Sequence, residues 1–248
     1  MPATPAWPPK SAPRLFIENE LADGDLVTLD GTRAHYLSKV KRVREGDAVI
    51  LCDNISGEWA TRVTSVDKRR VVVEVAERLR PREEVPDLWL CPALLKKDRF
   101  DLVLEKASEL GAARVQPVIT RRCVADKLNL DRARTITIEA AEQCARTALP
   151  EVTEPLKLDP LLRAWPDTRP LFFADEEGGE PAAEAFANTP IAAILIGPEG
   201  GFDDAERAAI RAHPAARPIS LGPRILRGET AAIAALSVWM ATSGDWHP

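Results

Sequence analysis

Apolar positions repeat with two different periods along this chain, and the change falls near residue 80. From Arg14 to about Arg80 the apolar runs are short and rich in Val and Thr. They are "AVILCD" (Ala48–Asp53), "EWATRVTSV" (Glu58–Val66) and "RVVVEVAE" (Arg70–Glu77). Turn formers in "REGD" and "DNISG" separate them, which predicts successive short strands curling into a small barrel. The helical candidate in this part is the basic stretch around "DGTRAHYL". "RPREEVPD" (Arg80–Asp87) is polar and bracketed by prolines, as a domain linker would be.

After the linker, strand-like runs alternate with helical periodicity. "LWLCPALL" (Leu88–Leu95) reads as a buried strand. In "RFDLVLEKASELG", Phe100, Val103, Leu104, Ala107 and Leu110 share one helical face, and Gly111 stands where a helix-stopping glycine belongs. "ARVQPVIT" predicts the next strand. A long helix is expected over Asn129–Leu149, with Ala133, Ile136, Ala140, Cys144 and Ala148 down one side. "PLFFAD", "AAILIG" and "RPISLG" are short, near-continuous apolar runs, and "ETAAIAALSVWMAT" (Glu229–Thr242) closes the chain as an apolar helix. Buried strands between helices predict an α/β unit, a parallel sheet covered on both faces.

Composition narrows the picture. The chain of 248 residues is ordinary for a globular protein, with 45% hydrophobic and 29% charged residues. No apolar run approaches the length of a bilayer span. The opening "MPATPAWPPKSAPR" predicts a disordered proline-rich tail over residues 1–13, and a cytoplasmic location is expected by default. Four cysteines and three histidines are scattered without metal-ligand spacing, so no metal site is expected. Cys144 is expected to be a small buried residue rather than a nucleophile.

Net charge is −5, which argues against indiscriminate binding of nucleic acid. Within "RAHYLSKVKRVR", however, Arg33, Lys39, Lys41, Arg42 and Arg44 stand together without an acid. That concentration is either a solvated helix face or a phosphate-binding patch.

Two loops form a pair. "LIGPEGGFDDAE" and "SLGPRILRGETA" both run strand, Gly-Pro, irregular turn, helix. Neither spells the P-loop or the dinucleotide fingerprint. Side by side beyond the carboxyl ends of parallel strands, they would frame one pocket suited to a nucleoside-like ligand. Gly200 and Gly201 permit close backbone approach, and Asp203 with Glu206 predicts a cap for the next helix.

From Arg14 onward the chain resembles the methyltransferases that modify N3 of a uridine in 16S ribosomal RNA, within the trefoil-knotted SPOUT superfamily. The matching stretches are "KKDRFDLVLEKASELGA", "EAAEQCAR", "LIGPEGGF" and "LGPRILRGETA", with "RLFIE" and "AHYLSKVKRVREGD" matching the front half. The resemblance implies a PUA-like β-barrel over residues 14–82 and a knotted α/β methyltransferase domain over 83–248, paired as a homodimer. It implies S-adenosylmethionine as cofactor, contacted at Leu195, Gly197 and Gly201 and at Leu221, Gly222 and Leu226, largely through backbone groups. Phe173 and Ala174 would line the same cleft. The implied partner is 16S ribosomal RNA or the small ribosomal subunit, with no membrane involved. Arg33, Lys39, Lys41, Arg42, Arg44 and Arg146 are the candidate RNA-binding residues.

A methyl on sulfonium needs no activation, so the protein's task is to place the acceptor nitrogen and favour loss of its proton. Arg224 and Arg227 offer fixed donors for charge developing on uracil oxygens, and Glu229 is the candidate for orienting an arginine or accepting the proton. The alternatives are a knotted methyltransferase acting on another ribosomal or transfer RNA position, and a non-catalytic PUA-type RNA binder. "RILRGE" would then hold phosphate and start a helix.

Overall fold

The structure, a computed structural model, describes residues 7–246. The chain divides into two compact units. One reaches to Glu84 and takes in Ala141–Ala148; the other comprises Val85–Ala140 and the chain from Leu149 onward.

In the first unit the strands are β1 (Arg14–Phe16), β2 (Leu26–Asp30), β3 (Ala48–Asp53), β4 (Gly57–Val66) and β5 (Arg70–Pro81), with α1 (Gly31–His35) between β2 and β3. They form one curled sheet in the order β1-β3-β4-β5-β2. β1 runs parallel to β3, and the other pairs are antiparallel. β4 takes three register irregularities against β5, which bend a long strand around the core. Inside lie Leu15, Leu51, Val63, Val71 and Val73, with Leu37 and Ala34 from the helical segment. Asp53 fixes the β3–β4 turn: it accepts from the backbone N–H groups of Ile55 at 2.7 Å and Leu21 at 3.0 Å. Burial pushes its pKa up, but these bonds and those from Ser56 outweigh burial and hold it below the usual carboxylate range.

The expected linker over Arg80–Asp87 is shorter than its composition suggests, because β5 continues to Pro81. Glu83 is an anchor, accepting from Arg146 Nε at 3.1 Å and from the backbone N–H groups of Thr147 at 3.2 Å and Ala148 at 3.1 Å. Of the proline-rich start, residues 1–6 lie outside the described residues, and Trp7 lies against the Arg62 guanidinium, 4.9 Å from the ring centroid.

The second unit contains β6 (Asp87–Pro92), α2 (Lys97–Glu109), β7 (Arg114–Val115), β8 (Val118–Ile119), α3 (Leu130–Cys144, whose residues from Ala141 count with the first unit), β9 (Glu151–Val152), β10 (Leu156–Lys157) and α4 (Leu158–Arg163). Then come β11 (Leu171–Ala174), β12 (Glu180–Pro181), α5 (Ala182–Ala185), β13 (Ile191–Ile196), α6 (Asp204–Ala212), β14 (Ala216–Ser220) and α7 (Gly228–Thr242). Seven strands form one sheet in the order β12-β14-β11-β13-β6-β7-β9, and every pair is parallel. β8 and β10 make a separate short pair.

Both faces of the large sheet are covered, and the period of two sorts the side chains. Ala192, Ile194 and Ile196 of β13 join the core with Phe100 and Leu104 of α2 and Leu236 and Trp239 of α7. Ala193 and Leu195 face the other way, into the core with Leu161 of α4 and Ile210 of α6.

Three local expectations need correction. The predicted strand at "ARVQPVIT" is two pieces, β7 and β8, interrupted at Gln116-Pro117, where proline cannot donate to a ladder. The long helix stops at Cys144, five residues early, because Ala145 takes a left-handed φ of 62°. Cys144 is consequently exposed instead of buried on an apolar face.

Candidate active site

Because the strands of the large sheet are parallel, the loops following β11, β13 and β14 leave the same edge and converge. Together they enclose a cleft of about 300 Å³. Ala174, Gly197, Gly201, Leu221, Gly222, Arg224 and Leu226 line it. The side chains of Phe173 and Leu195 are fully buried in the α4/α6 core, which leaves only their backbone groups for the cleft that the adjoining Ala174 and Ile196 line. Pleating sends each away from the neighbouring residue that does reach the cleft or the opposite core.

Two glycines shape the walls. Gly201 has a left-handed φ of 67°, and a Cβ built on it would meet Glu176 Oε1 at 2.6 Å. Gly200, expected to share this role, has no positive φ. Gly228 opens α7 so close to the β13 loop that a Cβ there would lie 3.0 Å from Leu95 Cδ2 and 3.2 Å from the Gly197 carbonyl oxygen. Glycine at 228 therefore lets the second loop lie tight against the first. Replacing Gly228 with valine should lower the melting temperature and weaken cofactor binding together, which thermal denaturation and calorimetry would register.

The Gly197–Phe202 loop is held from several sides. Asp203 and Glu206 form a reciprocal capping box at the start of α6, as their spacing predicts. The Glu206 backbone N–H, then the Arg121 guanidinium, hold the Asp203 carboxyl below its usual range. Glu206 Oε1 also accepts from the Arg121 N–H at 2.7 Å, and Arg122 donates to the Gly200 carbonyl at 2.7 Å. Arg99 of α2 reaches Glu199 Oε1 at 3.2 Å and has its Nε 3.8 Å from Glu229 Oε1. On the opposite wall Asp175 is buried between Arg207 and Arg211, the latter 2.6 Å away. None of these arginines is legible from the chain alone as part of the site. The one available signal is the four-residue spacing of Arg207 and Arg211, which puts both on one face of α6.

The proposed catalytic residues fall in different surroundings. Arg224 is exposed and lines the cleft, whereas Arg227 is exposed at the N-cap of α7, between two residues that line it. Neither makes an ion pair among the described residues. Glu229 is buried, its Oε1 directed to Arg99, and its Oε2 has no hydrogen-bond partner among the described residues. It does not pair with Arg224 or Arg227.

In the first unit, α1 and the π-helical turn Tyr36–Lys41 turn Ala34 and Leu37 inward, and Val43 just beyond them joins the same core. Lys39, Lys41, Arg42 and Arg44 are exposed, Arg33 is half-buried, and none of the five makes an ion pair among the described residues. Arg146 departs from its expected place among the RNA-binding residues. It is 6% exposed and bound to Glu83, so its guanidinium braces the fold.

Comparison with known proteins completes the description. Residues 82–240 match the RNA methyltransferase domain and residues 29–76 the RNA methyltransferase PUA domain. The chain is 32% identical over 233 residues to the ribosomal RNA small subunit methyltransferase E of Synechocystis, covering 90% of this chain and 76% of that protein. With the enzyme of the same name from Bacillus subtilis it shares 29% identity over 90% of this chain and 94% of that one. Among solved structures, that of Neisseria gonorrhoeae methyltransferase E bound to S-adenosyl methionine superposes with a TM-score of 0.85 at 28% identity, over 95% of this chain and 99% of that one. A Legionella pneumophila methyltransferase structure with bound SAM superposes with a TM-score of 0.84 at 32% identity, over 93% and 97%. By the match of its domains and by these relatives, the chain belongs to the RNA methyltransferase family that contains the ribosomal RNA small subunit methyltransferases E.

Proposed function

We propose that this protein methylates N3 of a uridine in 16S ribosomal RNA, using S-adenosylmethionine. Its relatives support the coarser statement, a methyltransferase of small-subunit ribosomal RNA that takes this cofactor. The finer statement rests on the two arginines without ion pairs, Arg224 and Arg227, at and beside the cleft.

The cleft fits the cofactor. Its glycine-rich walls leave backbone groups accessible, its Leu221 and Leu226 offer apolar surface to a flat base, and Glu176 gives it a carboxylate suited to a cationic ligand. Gly197, Gly201, Leu221, Gly222 and Leu226 would hold the nucleoside portion. When bound, S-adenosylmethionine supplies a methyl group on a sulfonium, electrophilic without further activation. Arg224 and Arg227 then have two tasks: to hold the uracil so that N3 lies in line, and to stabilise negative charge on its carbonyl oxygens as the N3 proton leaves. Of the two roles open to Glu229, its burial beside Arg99 favours orienting that arginine over taking the proton. The order of the strands carries the chain from β14, past β11 and β13, back to α7 beside the β13 loop, which supports the trefoil crossing.

The assignment is tested by mapping methylated nucleotides in ribosomal RNA from a strain lacking the gene, with and without complementation. Loss and return of one N3-methyluridine in 16S RNA supports it. A change at a ribose oxygen or in transfer RNA, or no change, overturns it.

The basic patch of the first unit supports a role in RNA binding. Lys39→Ala with Lys41→Ala and Arg42→Ala should weaken RNA affinity and flatten its salt dependence by about 0.7–0.9 for each phosphate no longer neutralised. Cofactor affinity should not change. Because Arg42 sits at φ 55°, circular dichroism must first show the variant folded. An unaltered salt slope would make the patch a solvated face.

A homodimer belongs to the same reading. α7 buries Ala231, Ala232, Ala235, Leu236, Trp239 and Met240, yet its remaining positions include half-buried Ile233, Ala234 and Val238. A helix apolar nearly all round favours a second covering surface. Light scattering at micromolar concentration should give twice the chain mass, and a monomer mass would count against it.

A further inference from the structure

We propose that Glu176, whose carboxylate lies over the Gly201 turn, reads the positive charge of the methyl donor, making the cleft prefer S-adenosylmethionine to its uncharged-sulfur product. The inference rests on the cofactor reading above and adds to it a residue that sets the preference for methyl donor over product.

Three acids follow β11 in succession, and their surroundings separate them. Asp175 is buried between Arg207 and Arg211. Glu177 is bound by Arg207 at 2.9 Å and lies 3.5 Å from Arg211. Both charges are thereby balanced locally. Glu176 lines the cleft, is exposed, and makes no ion pair among the described residues. It is the acid of this wall whose charge is left for a ligand.

Its position is specific. The three atoms closest to a Cβ built on Gly201 all belong to the Glu176 carboxylate: Oε1 at 2.6 Å, Cδ at 3.0 Å and Oε2 at 3.1 Å. A side chain at 201 would thus have to displace the Glu176 carboxylate from its place over the turn.

At neutral pH the methyl donor carries a carboxylate, an ammonium and a sulfonium, whereas the demethylated product no longer has the sulfonium charge. A carboxylate left unbalanced on the cleft wall beside the sulfur therefore attracts the donor more than the product. At a separation of about 5 Å, with screening intermediate between protein and water, that difference amounts to roughly tenfold in affinity. The transfer reaction itself thereby removes the charge that held the donor, which favours exchange of product for fresh donor.

The test is isothermal calorimetry of Glu176→Gln with S-adenosylmethionine and, separately, with S-adenosylhomocysteine. The expected result is about tenfold weaker binding of the methyl donor with product affinity unchanged, so that the preference between the two collapses. Unchanged donor affinity, or an equal fall for both ligands, overturns the proposal. Failure of the unsubstituted protein to bind either ligand would instead overturn the cofactor reading beneath it. A double-mutant cycle gives a second readout. Gly201→Ala should cost donor affinity less in a Glu176→Ala background than alone, because the displaced carboxylate is gone. Strict additivity would remove the link between the two residues.

Discussion

Arg227→Ala should leave the protein folded, keep its affinity for S-adenosylmethionine and most of its affinity for RNA, and lose about 100- to 1,000-fold in single-turnover methylation, or about 3–4 kcal/mol of transition-state stabilisation. Arg227 occupies the N-cap of α7 with extended backbone, φ −67° and ψ 151°, and its side chain makes no capping bond. It is thus held by its backbone, whose carbonyl accepts from the Ala231 N–H at 2.8 Å, while its guanidinium remains available. Leu226 and Gly228 on either side line the cleft, so the guanidinium starts from its rim. A preorganised donor there is worth most when charge develops on the uracil oxygens and little in the ground state. Lysine should restore little, because the planar pair of donors would be missing. If Arg227 only grips phosphate, the loss will appear as weaker RNA binding. A near-normal rate at saturating RNA would identify that role and remove Arg227 from catalysis.

Gly201→Val should abolish measurable cofactor binding in a protein that still folds. The left-handed φ of 67° costs a residue with a Cβ about 1–2 kcal/mol, and a β-branched side chain more. The Cβ would also take the place of the Glu176 carboxylate, and the two methyl groups would protrude into a cleft of about 300 Å³. The strain is present in the free and bound protein alike and lowers stability, so the loss of affinity comes from the obstructed cleft and should exceed roughly 100-fold. Calorimetry alongside a thermal melt decides the matter. Near-normal affinity in a folded variant would sink the assignment of this loop to the cofactor.

Local signals made much of the second unit legible. Runs such as "AAILIG" are apolar at every position because β13 is buried on both faces, and that continuity is visible without a structure. The capping box at Asp203 and Glu206 and the stop at Gly111 are equally local, since their partners lie within a few residues. What escaped depends on distance along the chain. Arg146 reads as a surface cation until Glu83, 63 residues away, is seen to hold it. Arg99 reads as the polar face of α2 until the β13 loop brings Glu199 to it. The end of α3 escaped for another reason: "QCARTA" contains neither glycine nor proline, and nothing in it announces the left-handed Ala145. For Phe173 and Leu195, the motif located the right strand ends, but the pleat decided which side each residue faces.

The eight-residue insert Ala141–Ala148 bears on modularity. It belongs to the first unit, where Glu142 accepts from the Phe16 N–H at 2.8 Å and Ala145 offers its carbonyl to Arg80. The first unit is thus assembled from two pieces of gene separated by more than fifty codons. Excised as one continuous fragment ending at Glu84, it would leave the Phe16 amide and the Glu83 carboxylate without these partners. Exchange of this unit between related enzymes therefore has to carry both pieces, or a chimera will inherit a mismatched seam.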